Sequence, residues 1–343
     1  MVEDHGTNDC GDPVGAYGPR ADVVLATACG GDVHVTYAWS PDDWGTHVLE
    51  ARDGIVLLGP QVAVDGDRLF VAASAYADED GGCGGDGLRE AGVMIWSRLL
   101  PDGVWTEPTR IGGPHDRLES FRVVGGAIHA TVRDDETGAV AYIHRSAGLS
   151  KRLAIVDAVS TSLRVGSDGV ARVAYTTSNG LYLATMDGSA HEARRIYRGS
   201  DAHGPMLVLA EGNQPILMWT VEFRGGGCAE PEPLPHHGTY VFSDVQGVIA
   251  SERLSPSSMA SSLTLDIPGG TVYAVISEYA DDRRGTYLWS RSIAGSEWTS
   301  VELDEGVAWP LMRVDQATGQ AFLAWTTYDD DTQRLMVQTA DLR

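Results

Sequence analysis

Two short segments, YADED at residues 76–80 and YADDRR at 279–284, set an aromatic ring beside a run of carboxylates. An aromatic face stacks on the apolar side of a pyranose, and carboxylates accept hydrogen bonds from its hydroxyls, so this pairing suits a sugar. The combination recurs. Asp42 and Asp43 follow Trp39, Glu222 adjoins Phe223, Asp329, Asp330 and Asp331 follow Tyr328, and Asp134, Asp135 and Glu136 form a further acidic run. Clustered carboxylates also suit Ca²⁺, which takes six to eight oxygen ligands. No segment has the spaced acids of an EF-hand loop, so no metal site is assigned and no cofactor is expected beyond that option of calcium. The plainer role of these residues is turn formation, for which Asp and Gly are well suited. The candidate ligand contacts are Tyr76, Asp78, His203, Tyr279, Asp281, Trp309, Tyr328 and Asp329. His115 beside Asp116 is a candidate acid–base pair.

These residues need a frame that repeats. One segment type, rich in β-branched and aromatic residues with period-two alternation, occurs seven times: DVHVTYAW from Asp32, RLFVAASAY from Arg68, AIHATVRD from Ala127, VARVAYTT from Val170, PILMWTVEF from Pro215, TVYAVISEY from Thr271 and QAFLAWTTY from Gln320. The copies are roughly 36 to 58 residues apart, the spacing of four-stranded propeller blades. A Gly, Asp or Asn turn precedes most copies, with another strand before it. A polar loop and a third strand follow each, and a more polar fourth strand follows most. The pattern predicts an all-β chain, a seven-bladed β-propeller of four-stranded antiparallel blades, with six blades as the alternative count. Residues 1–343 form one propeller domain on this reading. The last copy lacks a fourth strand, so residues 1–20 are the segment available to close the ring. Six of the seven loops after the recurring strand are acidic, which places YADED and YADDRR in equivalent loops on one face.

The segments WSRLLPDGVWTEPTRIGG, residues 96–113, and WSRSIAGSEWTSVEL, residues 289–303, resemble degenerate BNR, or Asp-box, repeats of sialidase-like propellers. Ser97, Asp102, Gly103 and Trp105 approximate the box with altered spacing, and Ser290, Gly295 and Trp298 do so without the Asp. The resemblance implies the propeller fold. It also implies a reading of Arg122, Arg164 and Arg313, which occupy equivalent first-strand positions: sialidases use three arginines to clamp a substrate carboxylate. The family's Arg-Ile-Pro segment and Tyr-Glu nucleophile pair have no counterpart here, and pairing with acids between blades is the competing role for the three arginines.

The four cysteines admit two disulfides. Cys83 and Cys228 lie in the two longest inserted loops, which the repeat places on one face, so a Cys83–Cys228 bridge is expected there, with Cys10 paired to Cys29. The rival is a metal site of Cys83, Cys228, His236 and His237, whose spacing matches no zinc motif. Disulfides point to an exported protein, secreted, periplasmic or at the cell surface, although residues 1–12 have neither a basic start nor an apolar stretch. The formal charge is −23, with Lys151 the sole lysine among 25 basic residues. Such a chain repels phosphate backbones, so nucleic acid is not an expected partner. No apolar run is long enough to span a membrane. The leading functional reading is an exported propeller that binds a glycan or other extracellular ligand on an acidic, aromatic-rimmed face. The alternatives are a sialidase-like glycoside hydrolase or lyase, and a structural interaction module.

Overall fold

The structure is a computed structural model. It describes the chain except residues 1, 5–10, 12, 18–22, 41–42, 53, 79–87, 148, 188–189, 222–236, 246–247, 257, 267–269, 281–282, 304–309, 315–319, 330–331 and 342–343. The fold is a seven-bladed β-propeller of four-stranded antiparallel blades. The helical content among the described residues is one short 3-10 turn, Glu211–Asn213. By internal contacts the chain divides into two compact units, residues 1–156 with 324–338, and residues 157–323 with 339–343.

In the first unit, blade 1 runs Val14–Tyr17, Val23–Cys29, Asp32–Ser40 and Asp43–Leu49. Blade 2 runs Ile55–Asp65, Arg68–Asp78, Leu88–Leu99 and Thr109–Ile111. Blade 3 runs Asp116–Val124, Ala127–Asp134, Val140–Ser146 and Leu149–Ile155. Alternation builds the core: Leu69, Val71 and Ala73 of one strand are each 0% exposed and pack with Val33, Val35 and Trp96. The intervening side chains of the same strand, Phe70 and Ala72, pack with Phe121, Val123 and Ala130 of blade 3. Each blade is thus apolar on both faces, as a sheet sandwiched between neighbours must be.

In the second unit, blade 4 runs Ser160–Val165, Ala171–Thr177, Gly180–Asp187 and Ala190–Tyr197. Blade 5 runs Ala202–Leu209, Pro215–Val221, Gly238–Val245 and Val248–Pro256. Blade 6 runs Ser258–Asp266, Thr271–Ala280, Arg283–Ser292 and Thr299–Glu302. The seventh sheet is ordered Leu311–Val314, Gln320–Asp329, Thr332–Asp341 and Val2–Asp4. Its fourth strand, Val2–Asp4, comes from the N-terminal segment. The pairing registers Val2 with Met336, Glu3 with Leu335 and Asp4 with Arg334.

Blade 1 departs from the expected strand assignment. The recurring segment is the second strand in six sheets, but in blade 1 Asp32–Ser40 is the third, because Val14–Tyr17 adds a strand ahead of it. That strand has four residues, VGAY, too few for an alternation to show. Its Val14 and Ala16 nevertheless pack on the core of blades 1 and 2. Asp43 therefore opens a fourth strand rather than a third and leaves the set of equivalent positions, while Asp42 lies outside the described residues.

The two Asp-box-like segments do occupy equivalent turns between third and fourth strands, in blades 2 and 6. Ser97 and Thr106 exchange hydrogen bonds across the first, and Ser290 and Thr299 across the second. Each tryptophan reaches the fourth strand of the preceding blade. Trp105 stacks on His47 at 5.8 Å, and Trp298 donates its indole N–H to Glu252 at 3.1 Å.

Candidate functional site

The described residues place one polar cleft where the loop entering blade 3 meets that blade's second-to-third-strand turn. The chain leaves Thr109–Ile111 through Gly112, Gly113 and Pro114. Gly112 has φ +73°, and a Cβ there would lie 2.3 Å from Asp116 Oδ2, so backbone and space both require glycine. Asp116, 2% exposed, opens the first strand. Its Oδ2 accepts from the Gly113 amide and from Arg152 Nη1, and its Oδ1 accepts from Arg152 Nη2 at 2.9 Å. The fork of Arg152 matches the carboxylate in bidentate fashion and fixes the loop on the fourth strand. The hydrogen bonds that Arg152 donates to Asp116 in turn raise the Arg152 pKa.

The opposite wall is the 134–138 turn. The Asp135 amide donates to His115 O at 3.0 Å, so the two loops are tied by backbone. The Thr137 amide donates to Asp134 Oδ1 at 2.8 Å. This bond holds the Asp134 carboxyl below the usual carboxylate range, helped by the Thr137 hydroxyl and the nearby His115 and Arg152. Arg117 Nε lies 3.3 Å from Asp135, and His115 Nε2 lies 3.8 Å from Glu136 Oε2. The resulting cleft, about 420 Å³, is lined by Gly113, His115, Asp134, Ser150 and Arg152 around the buried Asp116. It offers donors and acceptors within a few ångströms of one another, which is the surface a polyhydroxylated molecule needs.

The expected pair His115–Asp116 is thus present as sequence neighbours with separate engagements. Asp116 serves Arg152 and the Gly113 amide, while His115 faces Glu136. The three first-strand arginines share one posture: Arg122, Arg164 and Arg313 each donate Nη1 to the carbonyl of the preceding residue, at 2.6, 2.9 and 2.7 Å. Deep placement lowers the Arg122 pKa to about 10. Tyr76 is partly buried in its strand, opposite Glu90. His203 lies in the first strand of blade 5, opposite Thr220. Asp78, Tyr279, Tyr328 and Asp329 fall at strand ends. Asp281, Trp309, His236 and the cysteines Cys10, Cys83 and Cys228 lie outside the described residues, and Cys29 is buried at 5% exposure. No group of three or more metal-ligating side chains occurs among the described residues.

The residues that sequence reasoning missed are Ser150 and Arg152. Arg152 stands 36 positions from Asp116, and no local motif joins them. A second cleft of about 500 Å³, among Arg172, Glu192, Arg194, Asn213 and Asp244 of blades 4 and 5, has both arginines paired, Arg172 to Asp168 at 2.9 Å and Arg194 to Asp244 at 2.8 Å.

No protein-family model matches the chain, so membership of an Asp-box family is not shown by its sequence. No curated protein matches it either. Solved structures do. Kuenenia stuttgartiensis hydrazine synthase aligns at 11% identity and a TM-score of 0.65, over 99% of this chain and 98% of that one. The polysaccharide lyase Uly1 aligns at 12% identity and 0.59, over 96% and 89%. A Trypanosoma rangeli sialidase aligns at 9% identity and 0.51, over 97% of this chain and 54% of the sialidase. At such identities the likeness is one of fold, and the neighbours' differing names show that this fold carries unrelated chemistries.

Proposed function

We propose that the protein is a binding propeller whose blade 3 cleft holds a polyhydroxylated, glycan-like ligand. The observation that carries this reading is the preset arrangement of donors and acceptors around Asp116. The buried carboxylate fixes the Gly112–Gly113 turn and Arg152, and Ser150, His115 and Asp134 line the cleft around them. A hydrolase or lyase would instead need two groups poised about a scissile bond, and the acid–base couple beside this cleft among the described residues, His115 with Glu136, is 45% and 70% exposed. We also propose export to an oxidising compartment, with Cys10 paired to Cys29 and Cys83 to Cys228. The Gly11 amide donates to Ala28 O at 2.9 Å, which brings the chain next to Cys10 alongside Cys29.

A glycan-array screen of the purified protein and of Ser150→Trp tests the binding reading. Ser150 is exposed at the cleft, so the large ring fills the site without disturbing the core. Binding that Ser150→Trp abolishes supports the site. Binding that survives it moves the ligand elsewhere. Release of new reducing ends or unsaturated sugar from any bound glycan would replace binding by catalysis.

A further inference from the structure

We infer that the Arg98–Trp105 pair of blade 2 is a binding site for the carboxylate of a ligand, held as Glu252 is held by the equivalent pair of blade 6. The site is separate from the blade 3 cleft and does not depend on the glycan reading. Both blades carry Trp-Ser-Arg towards the end of the third strand, at 96–98 and 289–291. In blade 6 Ser290 pairs with Thr299, which sets Arg291 across the hairpin from Trp298. In blade 2 the Thr106 amide donates to Ser97 O at 2.8 Å, which sets Arg98 across from Trp105. Cross-strand neighbours share a face, and each pair faces the preceding blade.

What meets the pair differs. In blade 6, Glu252 Oε1 accepts from Arg291 Nη1 and from the Trp298 indole, the latter at 3.1 Å. Glu252 stands opposite Val241 on the fourth strand of blade 5. The matching place on the fourth strand of blade 1, opposite Val35, holds His47. Trp105 stacks on that ring at 5.8 Å, and its indole N–H is buried without a hydrogen-bond partner. Among the described residues Arg98 donates to neutral oxygens, the Tyr37 hydroxyl and Pro101 O, each at 2.8 Å. The arginine Nε is unpartnered in both blades, so the difference lies in the indole and in the acid replaced by histidine. Burial first, and then the charge of Arg98, lower the His47 pKa, and Arg98 outweighs the opposing Glu50. The local field is thus positive in a chain of net charge −23. Water would satisfy the indole and leave the arginine without a counter-ion, whereas a carboxylate serves both, as Glu252 does. His47 is exposed, so its ring can swing aside to admit one.

The indole N–H resonances of the isotope-labelled full chain, titrated in parallel with sodium acetate and sodium chloride at matched ionic strength, test this. The Trp105 resonance, identified by its loss in Trp105→Phe, should move saturably with acetate and little with chloride. His47→Glu supplies a carboxylate where blade 5 has Glu252, and should weaken the acetate response on the order of tenfold. His47→Gln leaves the place open and should keep the response. Both are changes at an exposed position, and they identify the Trp105 resonance if Trp105→Phe fails to fold. Sodium glucuronate separates the sources: movement with acetate alone assigns a free small carboxylate, movement with both assigns a sugar acid, and either supports the site. Equal movement with chloride overturns the carboxylate assignment. An acetate response unchanged in His47→Glu overturns the location, and no movement with any of the salts overturns the site.

Discussion

His129, in the second strand of blade 3, shows what one buried side chain can do to the whole fold. It is 4% exposed, its Nδ1 lies 2.7 Å from the Tyr142 hydroxyl, and its ring centroid lies 4.8 Å from that of His144. Strand register puts it in one cross-strand row with Arg122, His144 and Lys151, so its neighbours on that face are basic. Burial first, and then the like charge of His144, push the His129 pKa down to about 4. In the unfolded chain it returns to its ordinary value of 6.5. Between those values the unfolded state binds the proton and the folded state does not. Stability is therefore complete above the unfolded value and falls as pH drops through the window towards 4. The full loss is about 3 kcal/mol at 1.36 kcal/mol per pKa unit. Urea midpoints measured across that window should fall for the native chain and fall less for His129→Gln. Parallel curves for the two would remove His129 as the source.

At the scale of elements, bulges and hydroxyls work together. Where a first strand bulges, a backbone amide loses its ladder partner, and a buried N–H left unpaired is costly. The register of blade 3 shifts between Leu118 and Ser120, and the Leu118 amide donates instead to Ser74 Oγ of blade 2 at 2.9 Å. The register of blade 6 shifts between Ala260 and Ser262, and the Ala260 amide donates to Thr220 Oγ1 of blade 5 at 3.2 Å. A different bond joins blades 4 and 5: beyond the blade 5 register shift between His203 and Met206, the Leu207 amide donates to Ser162 Oγ at 3.1 Å. Ser74 is 3% exposed, so Ser74→Ala strands the Leu118 amide and should cost about 1–3 kcal/mol in chemical denaturation. A change below a few tenths would show that the bulge relaxes to another acceptor. These cross-blade bonds were not legible in the sequence, because a serine in a strand looks the same whether it serves solvent or a neighbour. The strands themselves were legible, since period-two alternation survives in segments such as RLFVAASAY. The strand assignment in blade 1 slipped because VGAY is too short to alternate. The cleft was half legible: His115, Asp116 and Asp134 stood out as chemistry-bearing residues in predicted loops. Arg152 did not, because its role depends on pairing across the blade.

At the scale of the molecule, the closing blade is the weak point of the fold. Its fourth strand is three residues long, Val2–Asp4, whereas the strand it pairs with, Thr332–Asp341, has ten. Three residues of ladder contribute on the order of 2 kcal/mol, since each hydrogen bond is worth about 1 kcal/mol net. Removing residues 1–4 should therefore lower the melting temperature by a few degrees without abolishing folding. It should also bare the edge of Thr332–Asp341, and an unpaired edge invites another chain to pair with it. The charge of the molecule opposes that outcome at low ionic strength, because two truncated chains repel, each still strongly negative after Glu3 and Asp4 are removed from a total of −23. Salt screens this repulsion over about 10 Å at 0.1 M. The truncated chain should then remain monomeric in dilute buffer and self-associate as salt is raised, while the intact chain stays monomeric in both, as read by light scattering. Association at every salt concentration would mean that the edge attracts more strongly than the net charge repels. An unchanged melting temperature would mean that the closing blade holds with three strands, and that Val2–Asp4 guards an edge rather than stabilising the sheet.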